Sequence, residues 1–235
     1  TRLDDYKVRC ELGRGGFGIT YQATDLNLGN DVAIKEYFPS DFAERKSDGR
    51  VGPLNSNTES DYQWGLDRFL EEARTLARFS NENYIVSVLR FFQKNGTAYL
   101  VMEYVDGISI AEYSESLTNP KQVEQLFAKL KTGLQKVHSA DFLHRDLKPD
   151  NILIRKSDGE PVLIDFGSAR QLKADRTMAL ITPYYSPIEQ YASDADHGRY
   201  TDIYSLSATF FRVVTGNPPP DASSRILDDQ CAKLV

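Results

Sequence analysis

The chemically densest stretch of the chain is His144-Arg145-Asp146-Leu147-Lys148-Pro149-Asp150-Asn151, which sets carboxylates, cations and a carboxamide side by side. Pro149 has no N–H to donate and disfavours the α region at Lys148, so the spacing predicts a loop here. Beyond it, the β-rich runs Ile152–Arg155 and Val162–Ile164 flank an Asp158-Gly159 pair and predict a hairpin. A hairpin reverses the chain. Asn151, ahead of its first strand, and Asp165, behind its second, therefore return to the same end, beside Asp146. Two oxygen donors next to a third acid suit a hard cation such as Mg²⁺.

The elements that must position this loop can be read from pattern. Val8 to Leu12 and Ile19 to Thr24 are strand-like and enclose Gly13-Arg14-Gly15-Gly16-Phe17-Gly18. A dinucleotide-binding turn would open a helix, but a turn at Leu28–Asp31 and a further strand, Val32-Ala33-Ile34-Lys35, follow instead. The glycines thus belong to an antiparallel flap. In Leu66 to Phe79, Phe69, Ala73, Leu76 and Ala77 form a helical stripe. Glu72 falls on that inward face and Glu71 on the wet face, with Asp67, Arg68, Arg74 and Thr75. An inward carboxylate needs a cation, and Lys35 is the expected one. Val86–Phe92 and Thr97–Glu103 predict a hairpin around Asn95-Gly96, and Val123, Leu126, Phe127, Leu130, Leu134 and Val137 a helix behind Asn119-Pro120. Thr201-Asp202 reads as the cap of a buried helix over Ile203 to Thr215, stopped by Gly216. His138 and His144 read as packed residues and His197 as loop surface.

His144–Asn151 followed by Asp165-Phe166-Gly167, behind a glycine loop and a Val-Ala-Ile-Lys strand, closely resembles the eukaryotic-type (Hanks-type) bacterial serine/threonine protein kinase catalytic domain. The resemblance implies an α+β, bilobal protein-kinase-like fold. A small antiparallel-sheet lobe would span residues 1–104 and a mainly helical lobe 105–235, the latter incomplete at its C-terminus. It implies that Asp146 accepts the substrate hydroxyl proton, Lys148 steadies the transferring phosphoryl group, Asn151 and Asp165 hold Mg²⁺, and Lys35 with Glu72 fixes ATP. Gly13, Gly15, Gly16, Phe17 and Gly18 would close over the triphosphate. Leu12, Thr20, Ala33, Met102, Glu103, Val105 and Leu153 would meet the adenine. Thr20 departs from the Val usual there, and Ser186-Pro187-Ile188-Glu189 stands where Ala-Pro-Glu is usual. Leu76, Val88, His144 and Phe166 would stack as an internal spine. Lys148, two residues after Asp146, points to Ser/Thr specificity. Within 168–182, Thr177 is the expected phosphorylation site, with Arg145 its phosphate partner, while Thr182 is expected to hydrogen-bond the catalytic loop. The connection over about 36–65, with Tyr37-Phe38-Pro39 and Trp64, is longer than is usual in the family. A structureless loop that long is rare, so it is expected to fold locally.

The 235 residues, 40% hydrophobic and 26% charged, suit a globular chain with a sizeable core. A net charge of −6 argues against nucleic-acid or anionic-membrane partners. Cys10 and Cys231 offer no metal spacing or disulfide framework, which points to a reducing, cytoplasmic setting. No run is long and apolar enough to span a membrane. The chain opens on Thr1 and reads as an excised segment, so attachment through other regions stays open. Expected partners are ATP, protein substrates and a second copy for autophosphorylation. The alternatives are a pseudokinase scaffold and a small-molecule kinase.

Overall fold

Short β-branched runs broken by Asp-Gly and Asn-Gly turns build the first half of the chain, and capped amphipathic helices the second. The computed structural model describes residues 1–80, 82–166, 170–171, 181–192 and 195–231. The chain divides into two units, Thr1–Asn81 with Val86–Val105, and Glu82–Ile85 with Asp106–Val235.

The first unit holds β1 (Arg2–Leu3), β2 (Tyr6–Gly15), β3 (Gly18–Asp25), β4 (Asp31–Tyr37), β5 (Ala43–Arg45), β6 (Val51–Pro53), α1 (Glu59–Leu76), β7 (Val88–Lys94) and β8 (Thr97–Glu103). Six of the strands form one antiparallel sheet in the order β1-β2-β3-β4-β8-β7. Alternation buries Tyr6, Ala23, Val32, Ile34, Tyr99 and Val101 in one cluster. Asn95 and Gly96 both take positive φ, as the tight β7–β8 turn requires. A side chain at Gly96 would also strike the carbonyl of Val51, so the turn is closed down on β6.

The long connection folds locally. β5 and β6 make a separate hairpin, and α1 begins at Glu59 rather than near Leu66. Its first two turns extend the helix over Tyr37, whose ring meets those of Tyr62 and Phe69 at 5.3 and 5.7 Å. Gly65 is required there, because a Cβ would collide with the Tyr37 hydroxyl. Trp64 is half-buried under the Arg68 guanidinium. The stripe holds at Phe69, Ala73 and Leu76, but Ala77 opens a final 3₁₀ turn and is exposed. Thr75 is buried rather than wet, its hydroxyl satisfied by the Glu71 carbonyl.

The second unit holds β9 (Gly107–Ser109), α2 (Ile110–Ser114), α3 (Pro120–Ser139), β10 (Phe142–Leu143), β11 (Ile152–Arg155), β12 (Pro161–Leu163), β13 (Arg170–Gln171), α4 (Arg199–Thr215) and α5 (Ala222–Leu227). Asn119 caps α3 through its side chain, with Pro120 in the first turn, as expected. β12, β11 and β9 form a small sheet, and β10 pairs with β13.

Two expectations about α4 need correction. The helix begins at Arg199, so Asp202 lies inside its first turn instead of capping it. Nor is it buried all round. Ile203 and Val214 stand exposed, while the buried side carries Asp202 with Thr201, Ser205 and Thr209; the Thr201 hydroxyl donates to Glu189, and those of Ser205 and Thr209 donate to carbonyls one turn back. His197 is half-buried, not surface, with Nε2 against the Glu189 carbonyl at 3.2 Å.

Candidate active site

The loop from His144 to Asn151 is anchored by one buried side chain. Asp202, 0% exposed, accepts the backbone N–H of His144 at 2.8 Å and of Arg145 at 2.7 Å, and lies 2.8 Å from His138 Nε2. A carboxylate in an apolar helix must find donors, and this one collects three from residues about sixty positions earlier. Arg145 takes φ of +67°, costly for a side chain that size, and its carbonyl accepts from the buried Gln190 amide at 2.8 Å. Asp202 and Gln190 thus hold the bend from both sides of the Arg145 peptide.

His144 is fully buried and sits 4.3 Å from the Phe166 ring, as the stacking expectation for these two requires. Its Nε2 lies 3.2 Å from the Ile164 carbonyl, and its Nδ1 accepts the Asp146 N–H at 3.4 Å. Those two contacts define a neutral ring with the proton on Nε2. Burial agrees, holding its pKa below the ordinary value. Leu76 and Val88 are buried in the first unit.

The side chain delivered by this scaffold is Asp146. Oδ2 receives the Asn151 amide at 2.9 Å and the Lys148 ammonium at 3.0 Å, and the same Asn151 amide also reaches the Asp146 carbonyl at 2.7 Å. Oδ1 accepts the Thr182 hydroxyl at 2.6 Å, the contact expected for Thr182. Thr182 is itself placed by a turn in which its N–H donates to Ser186 Oγ and its carbonyl accepts from Tyr185 and Ser186. Asp221, capping α5, takes the Tyr191 hydroxyl and the Tyr184 N–H and ties down the same segment. Glu189 accepts from the Thr201 hydroxyl.

The 152–163 hairpin returns the chain as anticipated. Ile152 pairs with Leu163, and the Ile164 N–H donates to the Asn151 carbonyl at 2.9 Å, which sets Asp165 beside Asn151. Asp165 is also at positive φ, +55°. Because the Asn151 NH₂ is committed to Asp146, its carbonyl oxygen is the atom it can offer a cation. Among the described residues no group of three or more His, Cys, Asp and Glu forms a metal cage. The side-chain oxygens of Asn151 and Asp165 suit Mg²⁺, which is commonly held by one or two protein oxygens plus phosphate.

In the first unit, the glycines occupy the β2–β3 hairpin tip, where Gly15 pairs with Gly18. Gly18 faces the β4 backbone, and a Cβ there would lie 2.4 Å from the Glu36 carbonyl oxygen. Thr20 is opposite Lys35 and Ala33 opposite Met102 in the ladder. Lys35 and Glu72 are both buried, at 7% and 9% exposure, and Glu71 is spent on Arg68 at the surface. The Glu103 N–H is already used by the Ser87 carbonyl. Met102 and Val105 are buried, Leu12 is exposed, Phe17 is half-buried, and Leu153 lies in β11 of the second unit. Gly167, Ser168 and Thr177 lie outside the described residues. Arg145, the expected phosphate partner of Thr177, is buried at 7% exposure. Sequence reasoning missed Asp202 and Gln190. The signal for Asp202 was an acid set in an apolar helical run.

The protein kinase domain family matches residues 6–233. Serine/threonine-protein kinase PknA of Nostoc sp. is 32% identical over 230 residues, 92% of this chain and 38% of its own length. Serine/threonine-protein kinase D of Synechocystis sp. is 31% identical, over 99% of this chain and 44% of its own. This chain thus spans less than half the length of either relative. The solved apo form of PpkA-294 matches with a TM-score of 0.81 and 34% identity, covering 99% of this chain and 83% of that one. With the family model matching nearly its whole length, the chain has the protein-kinase fold and belongs to the protein kinase family.

Proposed function

We propose that this chain transfers the γ-phosphoryl group of ATP to serine and threonine hydroxyls of proteins. The observation that carries the reading is the hydroxyl of Thr182 on Asp146 Oδ1, while Lys148 and Asn151 occupy Oδ2. Asp146 thereby presents one oxygen to an aliphatic hydroxyl of the kind a Ser or Thr substrate brings. The substrate oxygen bonds to the γ-phosphorus as the bond to the ADP oxygen breaks, and its proton passes to Asp146 Oδ1. Lys148, beside the same carboxylate, neutralises charge on the transferring group. Asn151 and Asp165 would hold Mg²⁺, which draws charge off the phosphate oxygens when bound. Lys35, held by Glu72, takes the α- and β-phosphates, and residues 13–18 cover them. Leu12, Thr20, Ala33, Met102, Glu103, Val105 and Leu153 receive the adenine.

Phosphorylation at Thr177, met by Arg145, and self-association for autophosphorylation belong to the same proposal, as does a cytoplasmic setting. Both cysteines are free thiols, and among the described residues no helix is long and apolar enough to cross a membrane.

The test is incubation with γ-labelled ATP, Mg²⁺ and a protein acceptor, followed by phosphoamino-acid analysis. Label on serine and threonine supports the reading. Mg²⁺-dependent nucleotide binding without transfer to any acceptor would replace it with the pseudokinase alternative.

A further inference from the structure

The long connection after Lys35 reaches back to the glycine hairpin. β4 continues past Lys35 to Tyr37, so that Gly18 pairs with Tyr37 and Ile19 with Glu36. One residue further, the Phe38 N–H donates to the Phe17 carbonyl at 3.0 Å, at the foot of the hairpin tip. Two guanidinium groups then approach the Phe38 ring. Arg14, from the tip itself, sits 6.0 Å from its centroid, and Arg45, from β5, sits 5.2 Å away. Arg14 is in turn oriented by Glu11, its Nη2 3.1 Å from Oε2.

Arg45 is not a casual surface neighbour. Its guanidinium forks onto both oxygens of Glu36, at 2.5 and 3.1 Å. That carboxylate is 2% exposed and also accepts the hydroxyls of Tyr21 at 3.0 Å, from β3, and Tyr99 at 2.8 Å, from β8. Four donors fix the carboxylate, the carboxylate fixes the Arg45 guanidinium, and that guanidinium lies against the ring that Arg14 also meets. Residues 11–16 are exposed, and this contact brings side chains from outside the hairpin onto its tip.

We infer that Phe38 and Arg45 are positioning residues for the glycine-rich hairpin, so that the local fold of residues 38–54 sets how firmly nucleotide is held. The nucleotide half of this rests on the kinase reading above; the brace itself does not. An exposed cation–ring contact is worth about 0.5–1 kcal/mol, or roughly two- to fivefold in an equilibrium.

The test uses hydrogen exchange and nucleotide binding on wild type, Phe38→Leu, Arg45→Met and Arg45→Lys. In Phe38→Leu and Arg45→Met, amides of residues 13–18 should exchange about two- to fivefold faster without nucleotide, while those of α3 stay unchanged. The Kd for ATP·Mg²⁺ should rise by about the same factor, with kcat at saturating ATP held within about twofold. Arg45→Lys keeps the charge on Glu36 without the stacking plane, and should fall between wild type and Arg45→Met. Wild-type exchange at residues 13–18 in both Phe38→Leu and Arg45→Met would overturn the inference. So would acceleration spread equally over α3, which would mean general destabilisation. If wild type binds no nucleotide yet the exchange pattern appears, the kinase reading fails and the brace stands.

Discussion

The catalytic loop at residues 144–151 and the glycine hairpin at 13–18 are secured in opposite ways. The first is gripped from far along the chain, since Asp202 and Gln190 between them bind three backbone groups of two successive residues. The second is gripped locally, by its own strand ladder and by residues 36–45 just beyond its partner strand. The Asp146 carboxylate is almost enclosed, whereas the hairpin tip is exposed. The difference suits the two tasks proposed for them. A group that must meet a reacting hydroxyl within hydrogen-bond distance needs a fixed backbone. A cover that must admit and release a nucleotide needs a firm base and a loose tip.

The contrast breaks most visibly at Asp202. Asp202→Ala leaves two buried amides and His138 without their acceptor, and should cost about 3 kcal/mol or more, read by urea unfolding. Exchange at His144 and Arg145 should rise while residues 13–18 keep their protection. A loss below about 1 kcal/mol would mean that the loop is held elsewhere.

Next come the glycines, which separate base from tip. Gly18→Ala drives a Cβ into the Glu36 carbonyl and should cost about 2 kcal/mol, since backbone has to move. Gly16→Ala meets open space and should stay within about 0.5 kcal/mol. Equal effects at the two positions would erase the distinction between a pinned base and a free tip.

The smallest effect is one of pH. His144 is held neutral by burial, so below its ordinary value of 6.5 the unfolded chain binds a proton that the folded chain refuses. Stability should therefore fall as pH drops from about 6.5, by at most about 1.4 kcal/mol per pH unit from this group. His144→Gln should flatten that slope relative to wild type in unfolding measurements between pH 7.5 and 5.5. Parallel slopes would mean that His144 charges in place.

What the sequence disclosed follows the same division. Strand alternation, the Asn95-Gly96 and Asp158-Gly159 turns and the Asn119-Pro120 cap are local signals, and each marks the element it should. The hairpin return that sets Asp165 beside Asn151 was legible for the same reason. Asp202 was not, because its role depends on a contact to residues 138–145 that no local pattern encodes, and in a one-dimensional reading an Asp after Thr201 looks like a cap. The fold of 43–53 was legible only as a requirement that something fold there. Its docking on Glu36 and Phe38 depends on a buried carboxylate calling for a cation some nine residues ahead.

Asp146 is the group on which the proposed transfer depends. Asp146→Asn keeps Oδ1 as an acceptor for Thr182 but removes the charge that takes the proton, so ATP·Mg²⁺ should bind within about threefold of wild type while phosphoryl transfer falls by at least about a thousandfold. Transfer at the wild-type rate by a purified Asp146→Asn protein would contradict the assignment of Asp146 and, with it, the reading of the loop built around it.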